Sequence, residues 1–461
     1  MPRDLTVLIM AAGHGTRMRS RLAKVLHPVC GRPMVLWVAS AAERAGAERV
    51  VCITRPGEGV SERLDGRVEV AEQTEGEGTA AAVMSARSAI EAAATVAVLS
   101  GDHPLMTAGA IRDMVDAHER ENAAATVLTT DTLDPAGYGR VIRAPDGTIE
   151  RIVETKDPGS VPGEVLATRE INVGTYAFNA ADLLTALDEV EESPSGERYL
   201  TTVIEILRRR GQKLVAHPTH DRLVATGVND RVDLARIEAE ARRRLIHDHA
   251  LAGVSFTSPD TTTIDADVEI GEDTTIAAGV AIQGRTRIGR GCLIGPHSTI
   301  TDAAIGDEVS LTHAVLTECT VHDRATIGPF AYLRPGTEIG EGAKVGSYVE
   351  IKNSRIGAGA KVPHLSYIGD ADVGVGANLG ASTITANYHR GRKTRTTVGR
   401  DVRTGIHTSL IAPVNVGDDA YTGAGSVIAE DVPEGALGIS RPEQRNVEGY
   451  AQRIKDEKPP E

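Results

Sequence analysis

The chain has 461 residues, enough for two or three domains. Its formal net charge of −14 excludes a general nucleic-acid or polybasic membrane binder, and it requires a few local cations to hold any anionic substrate. The four cysteines (Cys30, Cys52, Cys292, Cys319) lack CxxC spacing, and there is no leader segment or long apolar run, so a reducing, cytoplasmic setting without disulfides or zinc is expected.

Leu5-Thr-Val-Leu-Ile-Met10 is a short apolar run of buried-strand type. It passes into Ala11-Ala-Gly-His-Gly-Thr-Arg-Met18. Such a step presents backbone N–H groups to an anion, with Arg17 and Lys24 adding charge. The spacing is neither a Walker A loop nor GxGxxG, and an ordinary strand–helix turn reads the same way. Residues 35–45 read as a helix, Arg49–Thr54 as a strand, 79–93 as an Ala-rich helix, and 96–102 as a strand ending on Asp102. This alternation predicts an α/β, Rossmann-like, doubly wound and largely parallel sheet with ligands at the strand C-termini. Asp102 suits a divalent cation there, although an Asp after a strand also serves as a helix cap. Leu234, Ile237, Ala241 and Leu245 mark one charged helix, whose Arg242, Arg243 and Arg244 read as a solvated or inter-subunit face. The predicted organisation is 1–230, a linker helix at 231–252, and 253–461.

The second domain repeats every six residues through Ile264, Ile270, Ile276, Ile282, Ile288, Ile294 and Ile300. After a five-residue step the ladder runs on through Ile305, Leu311, Val321, Ile327, Leu333, Ile339, Val345, Ile351, Ile356, Val362 and Ile368, then Ile411, Val416 and Ile428. A period of six is neither helical nor a simple strand; it predicts a three-cornered solenoid with one inward aliphatic per face. Glycines after the aliphatics allow close stacking at the corners. Arg334, Lys352, His364 and Tyr367 follow at spacings of 18, 12 and 3 residues. Residues 18 apart stack on adjacent coils, so Arg334 and Lys352 form a cation pair suited to phosphate. His364 nearby is a candidate base, although a lone His on such a face is usually a surface residue. The ladder breaks at 385–393, a polar excursion expected to loop outward and to carry function. The charged tail, 443–461, is expected to fray.

The N-terminal set Ala11–Met18, Lys24-Val-Leu26, Gly101-Asp102, Gly137-Tyr-Gly-Arg140, Ile152-Val-Glu-Thr-Lys-Asp157, Glu170-Ile-Asn-Val-Gly174 and Gly227-Val-Asn229 resembles the sugar-1-phosphate nucleotidylyltransferases. The hexads resemble the left-handed parallel β-helix of hexapeptide-repeat acyltransferases. Together they resemble one family, the bifunctional N-acetylglucosamine-1-phosphate uridylyltransferases/glucosamine-1-phosphate N-acetyltransferases. That resemblance implies acetyl transfer from acetyl-CoA to glucosamine-1-phosphate, then Mg²⁺-dependent uridylyl transfer from UTP to N-acetylglucosamine-1-phosphate. It implies nucleotide contacts from Met10, Ala11, Ala12, Gly13, Lys24, Gln73, Gly78, Thr79, Ser100 and Gly101, with Arg17 and Lys24 offsetting charge. Mg²⁺ falls to Asp102 and Asn229, and the sugar to Gly139, Glu154 and Asn172. On the solenoid it implies Arg334 and Lys352 for phosphate, His364 as base supported by Glu350, and Tyr367, Asn378 and Lys393 for the amino sugar. Acetyl-CoA falls to Ala381, Asn387, Tyr388, Ile406, Ala424 and Arg441. A homotrimer, with the excursion reaching a neighbouring subunit, is also implied.

Two departures stand out. Glu77 replaces an apolar residue of the family beside the uracil pocket, and Ile406 replaces a serine that helps hold acetyl-CoA. Loss of one neutral hydroxyl bond weakens a contact by about 0.5–1.5 kcal/mol. The alternative reading is a nucleotidylyltransferase alone, with the solenoid as an assembly module.

Overall fold

The computed structural model describes residues 4–64, 66–155, 161–193, 196–389 and 391–457. Lys156 and Asp157 of the quoted 152–157 motif, Arg390 of the excursion and the last four residues of the tail lie outside the described residues. The chain divides into two compact units, 1–244 and 245–461.

The first unit is built on β1 (Leu5–Met10), α1 (Met34–Arg44), β2 (Arg49–Thr54), β3 (Glu69–Glu72), α2 (Thr79–Met84), α3 (Arg87–Glu91), β4 (Thr95–Ser100), α4 (Ala108–Arg120), β5 (Ala125–Thr130), β6 (Arg140–Arg143), β7 (Ile149–Val153), β8 (Ile171–Asn179) and β9 (Leu214–Pro218). Its main sheet has the order β9-β5-β8-β4-β1-β2-β3, with β6 and β7 as an arm on β8. β1 is apolar except for Thr6 because both faces of the sheet are covered: Leu8 joins Ile53 and Val98 in one core layer, Val7 and Ile9 join Cys52 and Leu99 in the other. The sheet is not uniformly parallel. β8 runs antiparallel to both β4 and β5. It is reached through the β6–β7 arm rather than through a crossover helix, so nothing forces the parallel direction. The helix expected over 79–93 is broken into α2 and α3. Ser85 Oγ donates to the Ala81 carbonyl (3.1 Å), a back-bond that bends helices, and Ala86 leaves the helical region. A helix, α4 aside, links the units: α5 (Arg231–Leu251) buries Ile237 and Ala241, while Arg244 pairs with Asp221 at 3.6 Å and Arg243 pairs with Glu240.

The second unit is a triangular solenoid of three all-parallel sheets. One face has seven strands, from Ser255–Phe256 to Lys361–His364; the next has ten, from Thr263–Ile264 to Val427–Ile428; the third has nine, from Glu269–Ile270 to Val414–Val416. The aliphatic ladder forms one continuous core, with Ile270 only half-buried at its first coil. Ile411 is a correction: it is 37% exposed, and Leu410 points inward instead. Leu410 pairs with buried Thr385 and stands six residues before Val416, so it keeps the phase of the ladder; strand side chains alternate, so Ile411, the next residue, faces out. Leu316, also buried, fills the step between Leu311 and Val321. Corner glycines stack without room for side chains: a Cβ on Gly340 would lie 2.8 Å from the Gly357 carbonyl carbon, and one on Gly357 would lie 2.7 Å from that of Gly374.

Candidate active sites

At the C-terminal end of the first unit's sheet, β1 delivers Met10 into the Gly-rich turn, pinned by the Ala11 N–H donating to the Ile53 carbonyl (2.8 Å). Gly15 has φ +57°, and a Cβ there would lie 2.6 Å from the Cβ of Lys24, so the turn brings Lys24 inward only with glycine at this position. Lys24 Nζ donates to Asp102 Oδ2, and Ser100 Oγ donates to Asp102 Oδ1 at 2.8 Å. Burial pushes the Asp102 carboxyl up, but the charges of Lys24 and His103 and the bonds from Lys24 and Ser100 outweigh it and hold it at about 2. The result is a buried, ionised carboxylate beside an ammonium group.

A cavity of about 260 Å³ is lined by Met10, Ala12, Gly13, Lys24, Gln73, Gly78, Thr79, Ser100 and Asp102, together with His14, Arg55, Glu77 and Tyr199. The loop carrying Gln73 and Thr79 is zipped to the 198–200 segment: Thr79 Oγ1 accepts from the Leu200 N–H (2.8 Å), and a Cβ on Gly78 would strike the Arg198 backbone. The other predicted residues lie outside this cavity's lining. Ala11 is buried, and Gly101 packs under Met10, its N–H donating to the Met10 carbonyl (2.9 Å). Arg17 donates to Asn229 Oδ1 (2.8 Å), and Asn229 lines a neighbouring cavity with Tyr138 and Gly227. The Val228 N–H donates to the Asp102 carbonyl (2.9 Å), which holds the segment before Asn229 against Asp102. Gly139 and Asn172 are adjacent, joined by the Asn172 N–H donating to the Gly139 carbonyl (2.9 Å). Asn172 Nδ2 donates to the Tyr176 hydroxyl (2.6 Å), and Glu154 accepts from Thr201 Oγ1 (3.3 Å).

On the solenoid, one corner repeats with a left-handed residue at Tyr348, Leu365, Ser382 and His407. The coils are joined there by N–H groups of Leu365, Ser382, His407 and Gly425 donating to carbonyls of Ser347, His364, Ala381 and Ile406 (2.8–3.1 Å). His364, Ala381, Ile406 and Ala424 therefore form one column, one residue per coil, and Arg441 donates to the Ala424 carbonyl at 2.8 Å. Around the corner, the pairing of Tyr332 with Glu350 and Leu333 with Ile351 puts Arg334 and Lys352 at equivalent places on adjacent coils. Arg334 Nη1 donates to Glu350 Oε1 (2.7 Å), so the contact made by Glu350 is to Arg334 rather than to His364.

Lys352 and Lys393 lie side by side, and this proximity pulls the Lys393 ammonium below its ordinary value. Beside them, Asp370 accepts from Asn353 (2.6 Å) and from Asn387. The Tyr367 hydroxyl and the Asn387 amide both occupy the space above Gly369. The excursion is a short antiparallel hairpin, Tyr388–His389 with Arg392–Lys393, that delivers Lys393 to this cluster. Asn378 sits on the His364 face, paired with Lys361 and Arg403.

Residues 6–224 match the nucleotidyl transferase family, and residues 264–311 and 318–353 match bacterial transferase hexapeptide repeats. The hexapeptide match identifies the solenoid as a left-handed parallel β-helix. Proteins called bifunctional protein GlmU from Mycobacterium tuberculosis (strain ATCC 25177 / H37Ra) and Mycobacterium leprae (strain Br4923) are 45% and 44% identical, each alignment covering 98% of this chain and 93% of the relative. The chain belongs to the bifunctional GlmU family. Two residues of this GlmU-family chain were passed over by the sequence reading. Asp370 received no role, and its two asparagine donors come from positions 17 residues away on either side. Arg55 was not singled out at all; its place beside the Gly-rich turn follows from the pairing of β1 with β2, which the local pattern does not contain.

Proposed function

We propose that the chain makes UDP-N-acetylglucosamine in two steps: acetyl transfer from acetyl-CoA to glucosamine-1-phosphate on the solenoid, then uridylyl transfer from UTP to N-acetylglucosamine-1-phosphate at the sheet. The observation that carries this reading is the cluster of Lys352, Lys393, Asp370, Asn387 and Tyr367 near the His364 column, because a purely structural solenoid needs none of these groups.

In the first step His364 takes a proton from the 2-amino group as nitrogen bonds to the thioester carbonyl; the C–S bond breaks and the departing thiolate is protonated. Arg334, Lys352 and Lys393 hold the sugar phosphate, with Tyr367 and Asn378 on the sugar. The corner column of Ala381, Ile406 and Ala424, ending at Arg441, gives acetyl-CoA a groove along the solenoid, flanked by Asn387 and Tyr388. In the second step a phosphate oxygen of the sugar attacks the α-phosphorus of UTP in line, and pyrophosphate leaves. Met10–Gly13, Gln73, Gly78, Thr79, Ser100 and Gly101 position the nucleotide, Gly139, Glu154 and Asn172 the sugar, and Lys24 and Arg17 balance charge. Mg²⁺ would be held by Asp102 and Asn229 and would neutralise the triphosphate; a buried ionised carboxylate with an amide oxygen has the hard donors this ion prefers. The adjacent left-handed column of the same corner carries exposed Leu365, Tyr348 and Phe330, the last two stacked at 5.2 Å, and this apolar edge supports assembly as a homotrimer. The buried thiols of Cys52, Cys292 and Cys319 and the two co-substrates fit the cytoplasm.

Supplying glucosamine-1-phosphate, acetyl-CoA, UTP and Mg²⁺ together and following products by mass spectrometry tests that one chain performs both transfers. UDP-N-acetylglucosamine should form only when acetyl-CoA is present. Absence of product with every substrate supplied would overturn the reading.

A further inference from the structure

Arg55 follows β2 and so stands beside the Gly-rich turn. Its Nε donates to the Ala12 carbonyl (2.8 Å), while Nη1 and Nη2 donate to the two oxygens of Glu77 at 3.0 and 2.5 Å. The guanidinium thus spends one donor on the phosphate loop and a fork on the base loop. Both side chains line the 260 Å³ cavity. Arg55 is 19% exposed and Glu77 52%, so a nucleotide filling the cavity would bury the pair further. The base loop is also tied at its start, where the Gln73 N–H donates to the Thr54 carbonyl (2.8 Å), and at Glu77 itself, whose carbonyl accepts from the Arg198 N–H (2.8 Å). The Arg55 bonds draw the Glu77 carboxyl below its ordinary value, so it stays ionised.

We propose that Arg55 and Glu77 form a clasp that sets the gap between the phosphate loop and the base loop and keeps the Glu77 carboxylate neutralised, so that the cavity accepts the triphosphate of a pyrimidine nucleotide. This rests on the uridylyl-transfer reading and adds to it two positioning residues. A carboxylate at the mouth of a triphosphate site repels the substrate unless a cation faces it. A bidentate guanidinium is the fitting cation, because it cancels the charge and fixes the geometry together.

Pyrophosphate release as a function of UTP concentration, measured in the full chain, tests the clasp. Arg55→Ala strands the carboxylate and should raise the KM for UTP about tenfold, with kcat within about threefold of wild type. Arg55→Lys, which keeps the charge without the fork, should fall between the two. Adding Glu77→Gln to Arg55→Ala should recover most of the loss, since the unpaired charge is gone. Acetyl transfer, followed as free CoA, should be unchanged in all variants and reports that the protein is folded. A KM within about twofold of wild type in Arg55→Ala, or a double variant no better than the single, overturns the clasp while leaving uridylyl transfer standing. A wild type that releases no pyrophosphate overturns the underlying reading and the clasp with it.

Discussion

The two candidate sites solve the problem of holding an anion in opposite ways. At the sheet, Lys24 and Asp102 are 16% and 13% exposed and already bonded to each other, so their charges are desolvated and fixed before any substrate arrives. On the solenoid, Tyr388 is 67% and Ile406 53% exposed, and His364 stands on an open corner. A layered α/β sheet creates a crevice where its strands end. A solenoid creates only flat walls and corners, so its chemistry must be assembled from an excursion, such as the Tyr388–Lys393 hairpin. A buried pocket and an open wall should respond differently to the same perturbations.

The largest separation is expected from Asp102→Ala. It removes the carboxylate at the centre of the sheet site and should lower uridylyl transfer by about a thousandfold or more, leaving acetyl transfer within about twofold. Pyrophosphate and free CoA measured on one preparation would show this. Gly357→Ala probes the solenoid alone. Its Cβ would meet the Gly374 carbonyl carbon at 2.7 Å, and overpacking of this kind costs about 1–3 kcal/mol, read as a lower melting temperature of the solenoid with uridylyl transfer retained.

A smaller effect comes from acid. The Asp102 carboxyl in the folded protein lies at about 2, below its ordinary 3.8. A depressed carboxylate contributes stability that is fully present above the unfolded value and is lost as the pH falls through the folded one. The first unit should therefore lose about 2 kcal/mol between roughly pH 4 and pH 2, and Asp102→Asn should remove that pH dependence. Denaturant midpoints across this range give the measurement.

Much of this organisation is legible in the residues, and the gaps have physical causes. The six-residue ladder shows the solenoid because each coil repeats the same demand for one inward aliphatic. Ile411 misleads because it is an aliphatic next to the inward residue, Leu410, and composition alone does not say which of two adjacent aliphatics faces in. β1 and β4 are visible as apolar runs. The antiparallel direction of β8 is not, because an apolar strand buried on both faces looks alike either way. The 79–93 helix appears continuous from its alanines, yet one serine back-bond divides it. At the sites, Lys24, Asp102 and His364 stand in recognisable motifs. The partners of Glu77 and Glu350 depend on which strands lie side by side, so Arg55 and Arg334 emerge as their partners only in three dimensions.

One chain carries two separate chemistries, each with its own groups. The most direct test is His364→Ala, with free CoA release and UTP-dependent pyrophosphate release measured on the same protein. Acetyl transfer should fall by about a hundredfold to ten-thousandfold, the usual range for loss of a general base, while uridylyl transfer with N-acetylglucosamine-1-phosphate stays at the wild-type rate. Acetyl transfer that persists in His364→Ala, or uridylyl transfer that falls with it, would contradict the claim.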